Sequence, residues 1–134
     1  MRSKLVKDLK SLHAVPVENG GCRPGTPDIN CTLGWIELKW RRGWPVRDGV
    51  VVLPHPYTKV QQLWARRRER AGESVFVLVK IAQCWMLFSS SVASRVLGHT
   101  NEEELRQAAL FVSDKHLAVR ELIECLRSNR SSVR

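Results

Sequence analysis

Three ionisable side chains, Asp28, Glu37 and Lys39, have the types and spacing of a divalent-cation centre. They lie in the segment from 25 to 39, which reads GTPDINCTLGWIELK. In an extended strand side chains alternate, so we expect Glu37 and Lys39 on one face and the apolar residues beside them on the other, core-facing side. Carboxylate oxygens are ligands that Mg²⁺ prefers. The segment therefore predicts a cation site.

A predicted β-hairpin decides whether the two carboxylates meet. Residues 28–31 and 35–41 are expected as its strands, joined by a tight turn around 32–34. A loop of two or four residues sets Asp28 opposite Glu37. A plain three-residue loop sets it opposite Leu38 instead, unless a bulge near Pro27 restores the register.

The chemistry open to such a centre is hydrolysis of a phosphodiester. A bound cation would offset the repulsion between the carboxylates, polarise a phosphoryl oxygen and acidify a water. Lys39 would orient that water or offset the negative charge that develops. A Glu-X-Lys strand alone commonly lies on a solvated face. The pattern becomes specific because Glu-X-Lys follows Pro27-Asp28 in the chain.

Apolar spacing and turn signals predict an α/β chain in which helices flank one sheet. In chain order, helices are expected at residues 3–12, 58–71, 91–97, 101–110 and 113–126, and strands at 13–18, 28–31, 35–41, 75–81 and 84–88. Pro16 is expected at a sheet edge and Gly72 at a helix end. Thr100 and Ser113 are the expected N-caps of the last two helices.

Size and composition predict one domain. The chain has 134 residues, 43% of them hydrophobic and 26% charged. We expect a core at about 3–90, a C-terminal helical extension at 91–126 and a disordered tail at 127–134. The apolar stretch from 75 to 88 is interrupted by Lys80 and Gln83, so it is not a transmembrane span. The charged N-terminus resembles no secretory signal, which predicts a cytoplasmic protein and no membrane partner.

Net charge points to the class of partner. A charge of +9 and Arg-rich runs at 41–42 and 66–70 are typical of proteins that bind the phosphate backbone of nucleic acids. The four cysteines are scattered without a CxxC pair, which indicates free thiols rather than a zinc site.

The motifs resemble a known family. They are Gly25-X-Pro27-Asp28, then WIELK at 35–39, then Thr58-X-X-Gln61-X-X-Trp64. This pattern, over about 3–81, resembles the PD-(D/E)XK nuclease superfamily, in its VRR-NUC-like branch, which is common in phages and related to Holliday-junction resolvases.

The resemblance implies a restriction-endonuclease-like α-β-β-β-α-β core with a central mixed sheet. It implies an Mg²⁺- or Mn²⁺-dependent deoxyribonuclease, an endonuclease acting on branched, flapped or junction DNA in a bacterial or phage-infected cell. Asp28, Glu37 and the Leu38 carbonyl would bind the metal, and Lys39 would be the catalytic lysine. A resolvase that cuts symmetrically would be a homodimer.

Two positions stay open on the sequence alone. Gln61 is either a catalytic residue, as in the family, or the capping-box partner of Thr58. The glutamate that the family carries in its first helix is missing, so the third metal ligand is Asp8, Glu18 or a water. Mg²⁺ is often held by one or two carboxylates and waters, which favours water.

Four basic residues near the centre are predicted to bind DNA phosphates: Arg23, Arg41, Arg42 and Lys59. Trp44 and Tyr57 either stack on an unpaired base or belong to the core or a lid. The alternative function is a catalytically inactive nucleic-acid-binding module on the same fold.

Overall fold

The structure, a computed structural model, describes residues 1–18 and 23–130. These residues form an α/β fold with five α-helices, one short 3-10 helix and six strands. The helices are α1 (Arg2–Asp8), α2 (Lys59–Arg70), α3 (Ser90–Val96), α4 (Glu102–Ala108) and α5 (Val119–Ser128), with the 3-10 turn at Lys10–Leu12. The strands are β1 (Val15–Pro16), β2 (Ile29–Cys31), β3 (Gly34–Arg41), β4 (Val75–Ile81), β5 (Cys84–Ser89) and β6 (Phe111–Ser113).

The strands make one mixed open sheet in the order β1-β2-β3-β4-β5-β6. Among these pairs, β3 and β4 run parallel and the others antiparallel. A parallel pair needs a crossover connection, and α2 supplies it. The β4–β5 hairpin turns at Ala82-Gln83 as predicted, with Ala82 in the left-handed region at φ 54°.

Both faces of the sheet are covered by helices. Ile36, Phe76, Leu78 and Leu87 pack against α1 and α5 on one face. On the other face, Val77, Val79, Met86 and Phe88 pack with α3, α4 and the loop before α2. Because residues 75–79 of β4 are buried on both faces of the sheet, they form a continuous apolar run rather than an alternating one.

Local signals place α2 correctly. Thr58 is the N-cap of α2. The Thr58 hydroxyl accepts a hydrogen bond from the backbone amide of Gln61 in a capping box. Gly72, at φ 98°, follows the C-cap and adopts the left-handed conformation that ends many helices. Pro16 lies in the edge strand β1, also as predicted.

The C-terminal third differs from the prediction. Residues 111–113, expected as the link between two helices and the first residue of the second, form strand β6 on β5. Asn101, not Thr100, caps α4, and α5 begins at Val119 after the N-cap Ala118, so the prediction of Ser113 as a helix cap was wrong. A three-residue strand has no periodicity of its own, and its pairing with β5 decides its conformation.

Both ends of the chain also differ in detail. The first helix ends at Asp8 and a separate 3-10 turn follows, while β1 has only two residues. The helix α5 reaches Ser128, so the predicted disorder from 127 onward was wrong there, and 131–134 lie outside the described residues. No helix in the described ranges is long and apolar enough to cross a membrane.

Candidate active site

The β2–β3 hairpin brings Asp28 and Glu37 together. Its register pairs Ile29 with Ile36 and Cys31 with Gly34, so a two-residue turn, 32–33, joins the strands. Continued by one residue, this register sets Asp28 opposite Glu37, as the two-residue alternative predicts. No bulge is required.

The Asp28 carboxylate is fixed at the backbone of β3. Its Oδ2 accepts a hydrogen bond from the Leu38 amide at 2.9 Å. A charged acceptor makes this bond stronger than one between neutral groups. The contact holds the Asp28 carboxylate beside the backbone of Leu38. The carbonyl of Leu38 is the third predicted ligand.

A glycine lets the loop carrying Asp28 approach α2. Gly25 has φ 89°, and a Cβ built there would lie 2.6 Å from the carbonyl oxygen of Val60, in the first turn of α2. A side chain at Gly25 would therefore force the loop away from the helix. This accounts for the glycine in the Gly25-X-Pro27-Asp28 motif.

Glu37 and Lys39 lie on the α2 side of the sheet, and each is only 5% exposed. That face was expected to carry the reactive side chains while the other face packs into the core, yet Val77 and Val79 of β4 flank the pair. The Lys39 Nζ lies 3.2 Å from the Glu37 Oε2. On the opposite face Ile36 is fully buried, but Trp40, expected in the core, is 49% exposed.

The surroundings of the buried Glu37 carboxyl disfavour its ionised form. Burial, followed by the charge of Asp28, raises the pKa of Glu37 to about 7, against a lowering effect of Lys39. Two carboxylates in one desolvated place repel, and a divalent cation would relieve that repulsion. The electrostatics therefore suit a cation site.

Gln61 completes the capping box of α2 and also contacts the carboxylate of Glu37. Its Oε1 accepts a hydrogen bond from the Thr58 amide at 2.9 Å, which completes the capping box. Its Nε2 donates to the Glu37 Oε2 at 3.0 Å. One side chain thus joins the start of α2 to the acidic centre, because the amide has a donor and an acceptor on separate atoms.

The third acidic ligand is not found among the described residues. Asp8 lies in α1, which packs on the opposite face of the sheet, and its carboxylate pairs with Lys4 at 3.2 Å. Glu18 is exposed and follows Val17, whose amide bonds to the Asp28 carbonyl. Within residues 1–18 and 23–130, no three His, Cys, Asp or Glu side chains converge on one point.

The predicted phosphate-binding residues are dispersed around the centre. Arg23 is exposed and lines a groove of about 470 Å³ on the α2 side, with Trp35 and Arg68. Lys59 is exposed in the first turn of α2. The Arg41 guanidinium donates to the carbonyl oxygens of Gly43 and Val52, at 2.7 and 3.0 Å, so it anchors the following loop.

Arg42 and Arg41 line a cavity that Arg23 does not line. Arg42 is exposed just after β3, and this cavity, of about 370 Å³, is also lined by Trp40 and Lys80.

Tyr57 belongs to the core, and Trp44 is a half-buried ring that packs against the same core cluster. Tyr57 is buried, and its hydroxyl lies 2.6 Å from the Ser90 hydroxyl. Burial raises its pKa to about 12, with a smaller contribution from the charge of Glu37. No local pattern in the sequence indicates this hydrogen bond, because residues 57 and 90 meet only in the folded chain.

The donor set fits a hard divalent cation such as Mg²⁺ or Mn²⁺. It consists of two carboxylates and a backbone carbonyl within one buried hairpin. Gln61 and Lys39 both contact the Glu37 carboxylate at Oε2, and a side-chain contact with Asp28 brings the two carboxyl groups together. Mg²⁺ is held in many proteins by one or two carboxylates with waters and substrate phosphate.

No family model, curated protein or solved structure matches this chain significantly, so the site itself must supply the argument for function.

Proposed function

We propose that this protein is a metal-dependent endonuclease that hydrolyses DNA phosphodiester bonds, on a restriction-endonuclease-like version of the α/β fold. The observation that supports it best is the hairpin register that sets Asp28 opposite Glu37, with Lys39 on the same face as Glu37. Chance placement of solvated surface charges does not account for a carboxylate and an ammonium that are each 5% exposed.

Each residue of the centre has a separate task in this proposal. Asp28, Glu37 and the Leu38 carbonyl would hold Mg²⁺ or Mn²⁺, which when bound polarises a phosphoryl oxygen and acidifies a water. The hydrogen bond from Leu38 fixes the Asp28 carboxylate, and the bond from Gln61 fixes that of Glu37.

Lys39 would act on the developing charge. Hydrolysis joins the water oxygen to phosphorus and breaks a P–O bond, so negative charge grows on the phosphoryl and leaving oxygens. The Lys39 ammonium, held at 3.2 Å from Glu37 in a poorly solvated place, is oriented to offset that charge. Gln61 is a positioning residue, because it acts through Glu37 and the helix start.

The choice of DNA as substrate rests on charge and resemblance. With a net charge of +9, the chain should attract the phosphate backbone without reading base sequence. Branched, flapped or junction DNA and a homodimer are proposed from the family resemblance, together with a bacterial or phage setting.

The test is cleavage of a four-way junction, a flap and a linear duplex, each with Mg²⁺ and with EDTA. The wild type should cut at least one of them only with Mg²⁺. Asp28→Asn keeps an oxygen that can accept the Leu38 hydrogen bond but removes the charge, so it should fold and fail to cut. Glu103→Gln removes an exposed carboxylate of α4 and should cut normally.

Two results would reject the assignment in different ways. A folded Asp28→Asn protein that cuts as well as the wild type would exclude this centre. A wild type that binds DNA but cuts none of the three substrates would favour the inactive nucleic-acid-binding module, for which the missing third acid among the described residues is the supporting observation.

A further inference from the structure

A second aromatic and basic surface lies on the face of the sheet opposite to Glu37. Trp40 of β3 pairs with Lys80 of β4, and Lys80 pairs with Trp85 of β5. Side chains in register across neighbouring strands share one face. Trp40, Lys80 and Trp85 therefore form a continuous line, here called the aromatic row.

The helices leave this row partly uncovered. Deeper along the same strands, Leu78 and Leu87 are fully buried under α1 and α5. In the row itself, Trp40 is 49% exposed, and Lys80 and Trp85 are half-buried. Two open cavities, of about 610 and 370 Å³, adjoin the row, and Lys80 lines both.

The charged side chains around the row are mostly basic. Its cavities are lined by Lys4, Lys115 and His116 on the Trp85 side and by Arg41 and Arg42 on the Trp40 side. Asp8 is the acidic residue in these linings, and Lys4 already pairs with it at 3.2 Å. The Lys80 ammonium lies 5.2 Å from the centre of the Trp85 ring, so cation and ring are already arranged together.

We propose that the aromatic row binds a single-stranded nucleic-acid segment, with bases stacked on Trp40 and Trp85 and phosphates at the surrounding lysines. Flat apolar rings beside cations match a strand that carries π-faces and a phosphate on each nucleotide. An acidic peptide would satisfy the cations but would leave the exposed rings without a partner. A duplex hides its base faces, so it would satisfy the cations alone.

This site is distinct from the cleavage centre. Glu37 and Lys39 are odd-numbered residues of β3 and face α2, whereas Trp40 faces the other side of the sheet. The proposal does not rest on cleavage by Asp28 and Glu37. An unpaired arm of a branched substrate is one source of such a strand.

The test is binding of two fluorescent ligands in EDTA, where no metal-dependent cutting occurs. One is oligothymidine of about eight nucleotides, within the range of known single-strand sites. The other is the same backbone with every base removed. Trp40→Ala should weaken oligothymidine binding by at least about fivefold, as loss of one stacked base implies, and change abasic binding less than twofold.

Matched variants separate stacking from charge and from folding. Trp40→Phe keeps an aromatic face and should retain most of the affinity, and thermal unfolding would verify that each variant is folded. Lys115→Ala should lower the slope of log K against log salt by about 0.7 for oligothymidine. Arg67→Ala removes an equal charge from the exposed side of α2 and should not alter that slope.

Equal losses for both ligands in Trp40→Ala would overturn the proposal, as would no loss for either. Tighter binding of polyglutamate than of oligothymidine would overturn it in favour of an acidic protein partner. Failure of Mg²⁺-dependent cutting would reject the nuclease proposal alone, because the binding assay is independent of metal.

Discussion

The raised pKa of Glu37 predicts how stability depends on pH without metal. Burial and the nearby charge of Asp28 make the folded state hold the Glu37 proton more tightly than the unfolded chain does. The contribution of Glu37 to the free energy of unfolding is therefore greatest at low pH, where both states are protonated. This contribution should fall between pH 4.5 and about 7 and then level off.

The size of this loss follows from the shift in pKa from 4.5 to about 7. At about 1.4 kcal/mol for each unit of pKa, it corresponds to at most about 3 to 4 kcal/mol of unfolding free energy. Tyr57 also lies near Glu37, and because its pKa is raised to about 12 it stays neutral over this pH range.

Urea unfolding in EDTA from pH 4.5 to 8 measures the effect. The wild type should lose stability relative to Glu37→Gln, which cannot ionise, while the exposed control Glu103→Gln should follow the wild type. Mg²⁺ at pH 8 should stabilise the wild type by an amount that grows with its concentration, and should leave Glu37→Gln unchanged. Parallel pH curves for the wild type and Glu37→Gln would refute the reasoning.

Two further substitutions test how the centre is held in place. Gln61→Ala should lower the free energy of unfolding by about 1 kcal/mol through loss of the cap. Gln61→Glu should keep the capping box yet place a carboxylate against Glu37. The pH range over which stability is lost should then shift to higher pH, and an unshifted range would exclude the Gln61 contact. Gly25→Ala should cost at least about 1 kcal/mol and reduce cleavage, because of its positive φ and the nearby Val60 carbonyl, whereas Gly43→Ala, with nothing within 4 Å of its Cβ, should be neutral in the same assays.

The sequence alone determined the features that depend on neighbouring residues. Alternation in β3 set Glu37 and Lys39 on one face, Thr58 and Gly72 bounded α2, and Ala82-Gln83 marked a hairpin turn. Each signal comes from steric or hydrogen-bonding preferences within a few residues. Such preferences act whatever the rest of the chain does.

Only the tertiary structure decided what distant residues do together. The pairing of β2 with β3 selected the two-residue turn, and the packing of α2 gave Gln61 its second partner, Glu37. The pairing of β6 with β5 made a strand where a link between two helices was expected, and the placement of α1 kept Asp8 away from the centre. These outcomes depend on burial and on contacts between segments far apart in the chain, for which no local pattern in the sequence carries a signal.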